Sequence, residues 1–238
     1  MLDTKARFCI IAAMDEEISV ILERMRLVTA QVVGTITFHL GTLNHQDVLV
    51  FKSGVGLSMA AMSTSIALTH FKVLGILNIG TAGGLYERLN ILDIVVCDRI
   101  TYHDLDLEAF GTPRRFSPDN PYVFYADARY VDVFLSHFNQ DDVKIGPLIS
   151  GHQFIHQEHQ IKTIQTHFPE AIAVEMEGAA IAHVASVFKI PFMTLRSISD
   201  LVHAPKNELS FDAYLKRASQ RSADYVEKFI GLLHAAKL

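Results

Sequence analysis

Short apolar runs rich in β-branched and aromatic residues alternate along the whole chain with longer segments of helical period, and this alternation restricts the fold more than any other feature. RFCIIAA reads as a strand, and DEEISVILERM as a helix whose first-turn acids suit the positive end of its dipole. TITFHLGTLNHQDVLVFKSG predicts a hairpin around Asn44, followed by the helix LSMAAMSTSIALTHF. Strands VLGILNIG and DIVVCDRITYH come next, then a Pro-rich loop, GTPRRFSPDNP, and the helix ARYVDVFLSHF. Strand VKIGPLIS, helix EHQIKTIQTHF, a strand and helix within AIAVEMEGAAIAHVA, strand PFMTLRSIS and a long amphipathic helix from Phe211 towards Leu233 complete the pattern. No flexible linker or internal repeat interrupts it. The expectation is one α/β domain spanning residues 1–238, with a mixed, largely buried central sheet.

Half of the 238 residues are hydrophobic, enough for a core that needs no disulfide or metal. A net charge of −5 and the absence of a Lys/Arg-rich run argue against nucleic acid or an anionic membrane surface as partner. No stretch reaches membrane-spanning length. A small molecule is therefore the expected ligand. The two cysteines, Cys9 and Cys97, lie in strand-like runs and read as buried reduced thiols. MLDTKARFCIIAAMDEE carries no long apolar run followed by a small-residue cleavage site, so a cytoplasmic protein is expected.

In open α/β sheets the ligand lies outside the carboxyl ends of the strands. Those ends fall at residues 14–17, 53–56, 80–84, 102–106, 150–155, 175–177 and 196–200, where acids, small hydroxyl residues and glycines recur. Singly, each has a structural explanation: Glu17 as a helix-dipole acid, Gly83 and Gly84 as a turn, Glu177 as a first-turn glutamate, Asp200 as an N-cap. A function rests on their convergence. DVLVFKSGVGLSMA imitates a dinucleotide-binding turn, but Met59 stands where a small residue is needed and no acid follows at the ribose-binding distance. His152, His156 and His159 have metal-like spacing, but Phe154 and Ile155 interrupt them and no carboxylate or cysteine pattern completes a ligand set.

AAMDEE, SGVG, GTAGGL, YHDLDLEAFG, ISGHQFI, VEMEGAAIAHV and LRSISD, in this order, resemble the bacterial 5′-methylthioadenosine/S-adenosylhomocysteine nucleosidases over nearly the whole chain. The resemblance implies a three-layer α/β/α, nucleoside phosphorylase-like fold, a homodimer, no cofactor or metal, and hydrolysis of an N-glycosidic bond to adenine and a 5-thio-ribose. It implies Asp200 as general acid and Glu17 as the water-activating carboxylate, with Arg196 and Thr81 near that water. Met176 and Glu177 would hold the ribose, and Phe154, Ile155 and Ser199 the adenine. Met14, Val55, Phe110 and Phe211 would line the 5′-thio pocket, to which the partner subunit contributes through HDLDLEAFG. Two positions depart from the common pattern: His152 stands where many members have Asp after the glycine, and Thr112 and Pro113 replace an aromatic residue seen in some. Some relatives act on aminodeoxyfutalosine, which leaves the 5′-substituent open.

The residue chemistry agrees. A departing purine carries negative charge that a proton on N7 relieves, and a carboxylic acid supplies it if a partly desolvated site raises its pKa. A second carboxylate must orient or deprotonate water, and a third must favour the positive charge growing on the sugar. Asp200, Glu17 and Glu177 suit these tasks. Strand alternation places Glu175 on the same side as Glu177 and Met176 on the other, unless the chain kinks, so Glu175 is expected only to support the site. Phosphorolysis is the nearest rival, and the acids of MDEE oppose a phosphate. A non-catalytic nucleoside sensor is the other, and it would not need both an acid and a water-side carboxylate.

Overall fold

The computed structural model describes residues 3–139, 143–202, 208–236 and 238, with the side chains of 3–4 and 208–213 outside that description. Strand β1 (Asp3–Ala12) shows how the layers arise. Phe8, Ile10 and Ala12 join one core cluster while Cys9 and Ile11 join another, so successive side chains serve opposite faces of the sheet. All five are fully buried, as in a central strand covered on both sides. One cluster is filled from α1 (Asp15–Arg24), α3 (Ala128–His137) and α6 (Glu208–Ala236). The other is filled from α2 (Leu57–His70) and α5 (Gly178–Phe188), giving three layers, α/β/α. Helix α4 (Glu158–His167) covers a smaller third cluster.

The remaining strands are β2 (Arg26–Val33), β3 (Ile36–Leu43), β4 (Gln46–Lys52), β5 (Phe71–Gly84), β6 (Ile94–Tyr102), β7 (Phe124–Tyr125), β8 (Val143–Ser150), β9 (Ala173–Glu175) and β10 (Phe192–Leu201). Their order is β10-β6-β8-β9-β5-β1-β4-β3-β2, and β10 also pairs with β5. Five strands thus close into a ring while β1, β4, β3 and β2 form an open wing. Closure depends on β5 outrunning β1: its last residues, Gly83 and Gly84, pair with β9 on one edge and with Asp200 and Leu201 of β10 on the other. Gly83 and Gly84, for which a turn is the structural alternative in the sequence, therefore continue a strand.

Asn44 and His45 turn the β3–β4 hairpin with φ of 44° and 68°, the left-handed pair of a type I′ turn. Strand β2 has no counterpart in the sequence reading. It pairs with β3 alone and is exposed over nearly its whole length, so no one-sided burial stamps an alternation on RLVTAQVV. Cys9 and Cys97 are both buried and free. Among the described residues no helix is long and apolar enough to cross a membrane.

Candidate active site

The ends of β1, β5, β9 and β10 surround a cleft of about 180 Å³ lined by Met14, Glu17, Val55, Thr81, Phe154, Ile155, Met176, Glu177, Ser199 and Asp200, with Glu175 and Gln153. Glu17 is the third residue of α1, where a glutamate can reach back to its own helix start. Its Oε2 accepts from the N–H groups of Ala13 (3.0 Å) and Met14 (3.1 Å). Its Oε1 accepts from the N–H (2.8 Å) and hydroxyl (3.1 Å) of Thr81. Thr81 thus acts by fixing Glu17. A Cβ on Gly80 would meet Glu17 Oε1 at 2.9 Å, so the carboxylate needs glycine there. Burial raises the Glu17 pKa, opposed by the Thr81 bond and the charge of Arg196. Of the three acids in MDEE only Glu17 is buried. Asp15 and Glu16 are exposed, and Asp15 pairs with Lys52 at 2.7 Å.

The chain does kink after β9, and Glu175, Met176 and Glu177 all reach the cleft wall. Glu175 has the larger structural task. Its carboxylate accepts from Glu177 N–H (2.9 Å), Gly178 N–H (2.8 Å), the Ser150 hydroxyl and Arg196 Nη2 (2.7 Å). Arg196, 2% exposed, also donates to Asn78 Oδ1 at 2.6 Å. The structure thus commits Arg196 to Glu175 and Asn78 behind the cleft wall. A buried charge pair with its remaining valences filled is costly to break but adds no net charge to the site. Asn78 and Ser150 were not singled out in the sequence because nothing local marks them.

Glu177 is the N-cap of α5. Its Oε1 accepts the N–H of Gly56 at 2.6 Å, where φ of +93° favours glycine. Burial, and next the neighbouring Glu175, push its pKa up. On β10 the pairing with β5 slips between Ile198 and Asp200, leaving Ser199 as a bulge. Consecutive strand residues face opposite ways, and the bulge brings both Ser199 and Asp200 to the cleft. Burial raises the Asp200 pKa, opposed by a 2.9 Å bond from the Ser199 hydroxyl.

Phe154 is 52% exposed with its ring along the cleft, and Ile155 beside it is buried. His152 meets Asp104, while His156 Nδ1 lies 3.1 Å from the Phe154 carbonyl. Phe110 is 84% exposed on a 3₁₀ turn (Glu108–Phe110) and is not part of the cleft wall. Phe211 falls in α6 with its side chain outside the described residues.

Residues 7–231 match the Phosphorylase superfamily, which fixes the class of the fold. A 5′-methylthioadenosine/S-adenosylhomocysteine nucleosidase from Anoxybacillus flavithermus is 35% identical, covering 94% of this chain and 98% of the relative. The nucleosidase structure from Streptococcus pneumoniae with the transition-state inhibitor MT-ImmA is 34% identical with a TM-score of 0.88, covering 95% of this chain and 99% of that one. The futalosine hydrolase structure from Helicobacter pylori is 31% identical with a TM-score of 0.84, covering 98% of each chain. The chain belongs to the 5′-methylthioadenosine/S-adenosylhomocysteine nucleosidase family.

Proposed function

We propose that the chain hydrolyses the N-glycosidic bond of 5′-methylthioadenosine and S-adenosylhomocysteine, releasing adenine and a 5-thio-ribose. The observation that carries this reading is one cleft walled by Glu17, Glu177 and Asp200 with no basic side chain among the described residues that line it. Asp200 protonates purine N7 as the bond lengthens. Glu177 accepts from the ribose hydroxyls and favours the cationic sugar, and Glu17 orients and deprotonates water below the anomeric carbon. Ser199 holds the acid from behind, while Met14, Val55 and Met176 offer apolar contact to the sugar and its 5′-sulfur. Phosphorolysis would need a cationic cradle, but Arg196 is already neutralised by Glu175. Every step is supplied by side chains, so the reaction needs no cofactor. A cytoplasmic setting, where the two free thiols stay reduced, belongs to the same reading.

The similarity to a futalosine hydrolase supports a second reading, in which the chain also acts on aminodeoxyfutalosine. Side-by-side kcat/KM values for the three nucleosides decide between them. Accelerated cleavage on adding phosphate would replace hydrolysis by phosphorolysis. Asp200→Asn is expected to lower kcat about 10²-fold while nucleoside binding persists, because the amide is nearly isosteric but carries no acidic proton. Since the Asp200 pKa is raised, its protonated form survives to higher pH than in an exposed aspartate, and kcat should fall as pH rises through that value. Near-normal turnover by the variant would remove Asp200 from the acid role.

The active form in this reading is a homodimer. Phe110 at 84% exposure, with Met59 and Met62 exposed along α2 near the exposed Val55, supports a second subunit covering this side and lending Phe110 to the neighbouring 5′-thio pocket. Sedimentation at assay concentration is expected to give a dimer; a fully active monomer would contradict it.

A further inference from the structure

Residues 153–155 line the cleft and, in the reading above, contact the base, yet the side chains of His152 and Phe154 are exposed. The backbone is held from both flanks by side chains that do not line the cleft. Asp104, just beyond β6, accepts the His152 N–H at 2.7 Å and meets His152 Nδ1 at 3.1 Å through the same oxygen. A carboxylate only accepts, so Nδ1 carries the proton. Behind this bridge the His103 ring packs so closely on Gly151 that a Cβ there would collide with it. Arg114 fixes the His103 carbonyl with Nε at 3.0 Å and Nη2 at 2.7 Å.

On the other flank Gln160 Oε1 accepts from the N–H groups of His156 (3.0 Å) and Gln157 (2.9 Å). Two fixed donors on its oxygen settle the orientation of the amide, so its Nε2 donates to Gln153 Oε1 at 3.0 Å. Gln153 is part of the cleft wall, whereas Asp104 and Gln160 are not.

We propose that Asp104 and Gln160 are positioning residues that hold the base-contacting loop ready for adenine. This rests on the adenine nucleoside reading above. Ordering the loop before the ligand arrives removes an entropic cost from binding and leaves the chemical step untouched. The effect therefore falls on KM.

Asp104→Ala and Gln160→Ala, each assayed for adenine release from 5′-methylthioadenosine, are expected to raise KM roughly tenfold with kcat within about twofold of the parent. Asp104→Asn keeps an acceptor oxygen for the His152 N–H and should recover part of the loss. Amide hydrogen exchange without ligand should quicken at residues 152–155 and stay unchanged in β1 and β5. Unchanged KM, a fall in kcat alone, or exchange that quickens throughout the molecule would overturn the proposal. Exchange needs no turnover, so a parent that releases no adenine sinks the proposed reaction while the exchange result still decides the role of these two residues.

Discussion

5′-Methylthioinosine is expected to be cleaved with a kcat/KM about 10⁴-fold below that of 5′-methylthioadenosine. Among the described residues, no hydrogen bond engages the N–H or C=O of Ile155. The Phe154 carbonyl already accepts from His156, which leaves the Ile155 pair as the open donor and acceptor beside the Phe154 ring. Adenine offers an acceptor at N1 and donors at N6; hypoxanthine offers the reverse at both. A backbone pair cannot exchange its polarity as a side chain can by rotating. Each mismatch leaves a buried group unpaired at about 1–3 kcal/mol, and the oxygen at C6 would also face Asp200, which tolerates it only while protonated. Stacking on Phe154 accepts either ring and cannot restore the difference. Comparable kcat/KM for the two substrates would show that Ile155 does not read the base.

Glu17→Gln should lower kcat by about 10³-fold. All four groups bonded to the Glu17 carboxylate are donors: the N–H groups of Ala13, Met14 and Thr81 and the Thr81 hydroxyl. An amide has one oxygen, so whichever way it turns, its NH₂ faces at least one backbone N–H at the other end. The variant thus loses the water-activating base and its fixed position together, with a stability loss of about 1–3 kcal/mol for the donors left unpaired. Single-turnover adenine release and thermal unfolding on the same protein would separate the two effects. An unchanged rate would move the base elsewhere.

The layers and the convergence of the site could be read from the sequence because both follow from local signals. Buried strands such as RFCIIAA declare themselves by composition, and the strand-end rule gathers the stretches that carry Glu17, Thr81, Glu177 and Asp200, while the motif resemblance assigns those residues their roles. What could not be read depends on partners far away in the chain. The Ser199 bulge exists only in the pairing of β10 with β5, and strict alternation would have turned Ser199 and Asp200 to opposite faces. Arg196 was expected near the water because the motif places it there. Its guanidinium bonds Glu175, 21 residues earlier in the chain, and Asn78, 118 earlier, while its charge still acts on Glu17. The kink at residues 175–177 follows from the same network, which draws Glu175 inward while Glu177 turns to Gly56.

The surroundings of Glu17 bear on why one scaffold can serve two nucleophiles. Without that carboxylate, two backbone N–H groups at the mouth of α1 and the N–H and hydroxyl of Thr81 on β5 would converge on an empty point, the usual makings of an oxyanion receptacle. The polypeptide has furnished a seat for a free anion and then occupied it with an anion of its own. In the proposed reaction an incoming phosphate finds the seat taken, while water, being small and neutral, needs only the cleft-facing edge of the occupant. On the proposed reading, the choice between lysis by water and by phosphate rests on whether the third residue of the first helix carries its own negative charge into that seat.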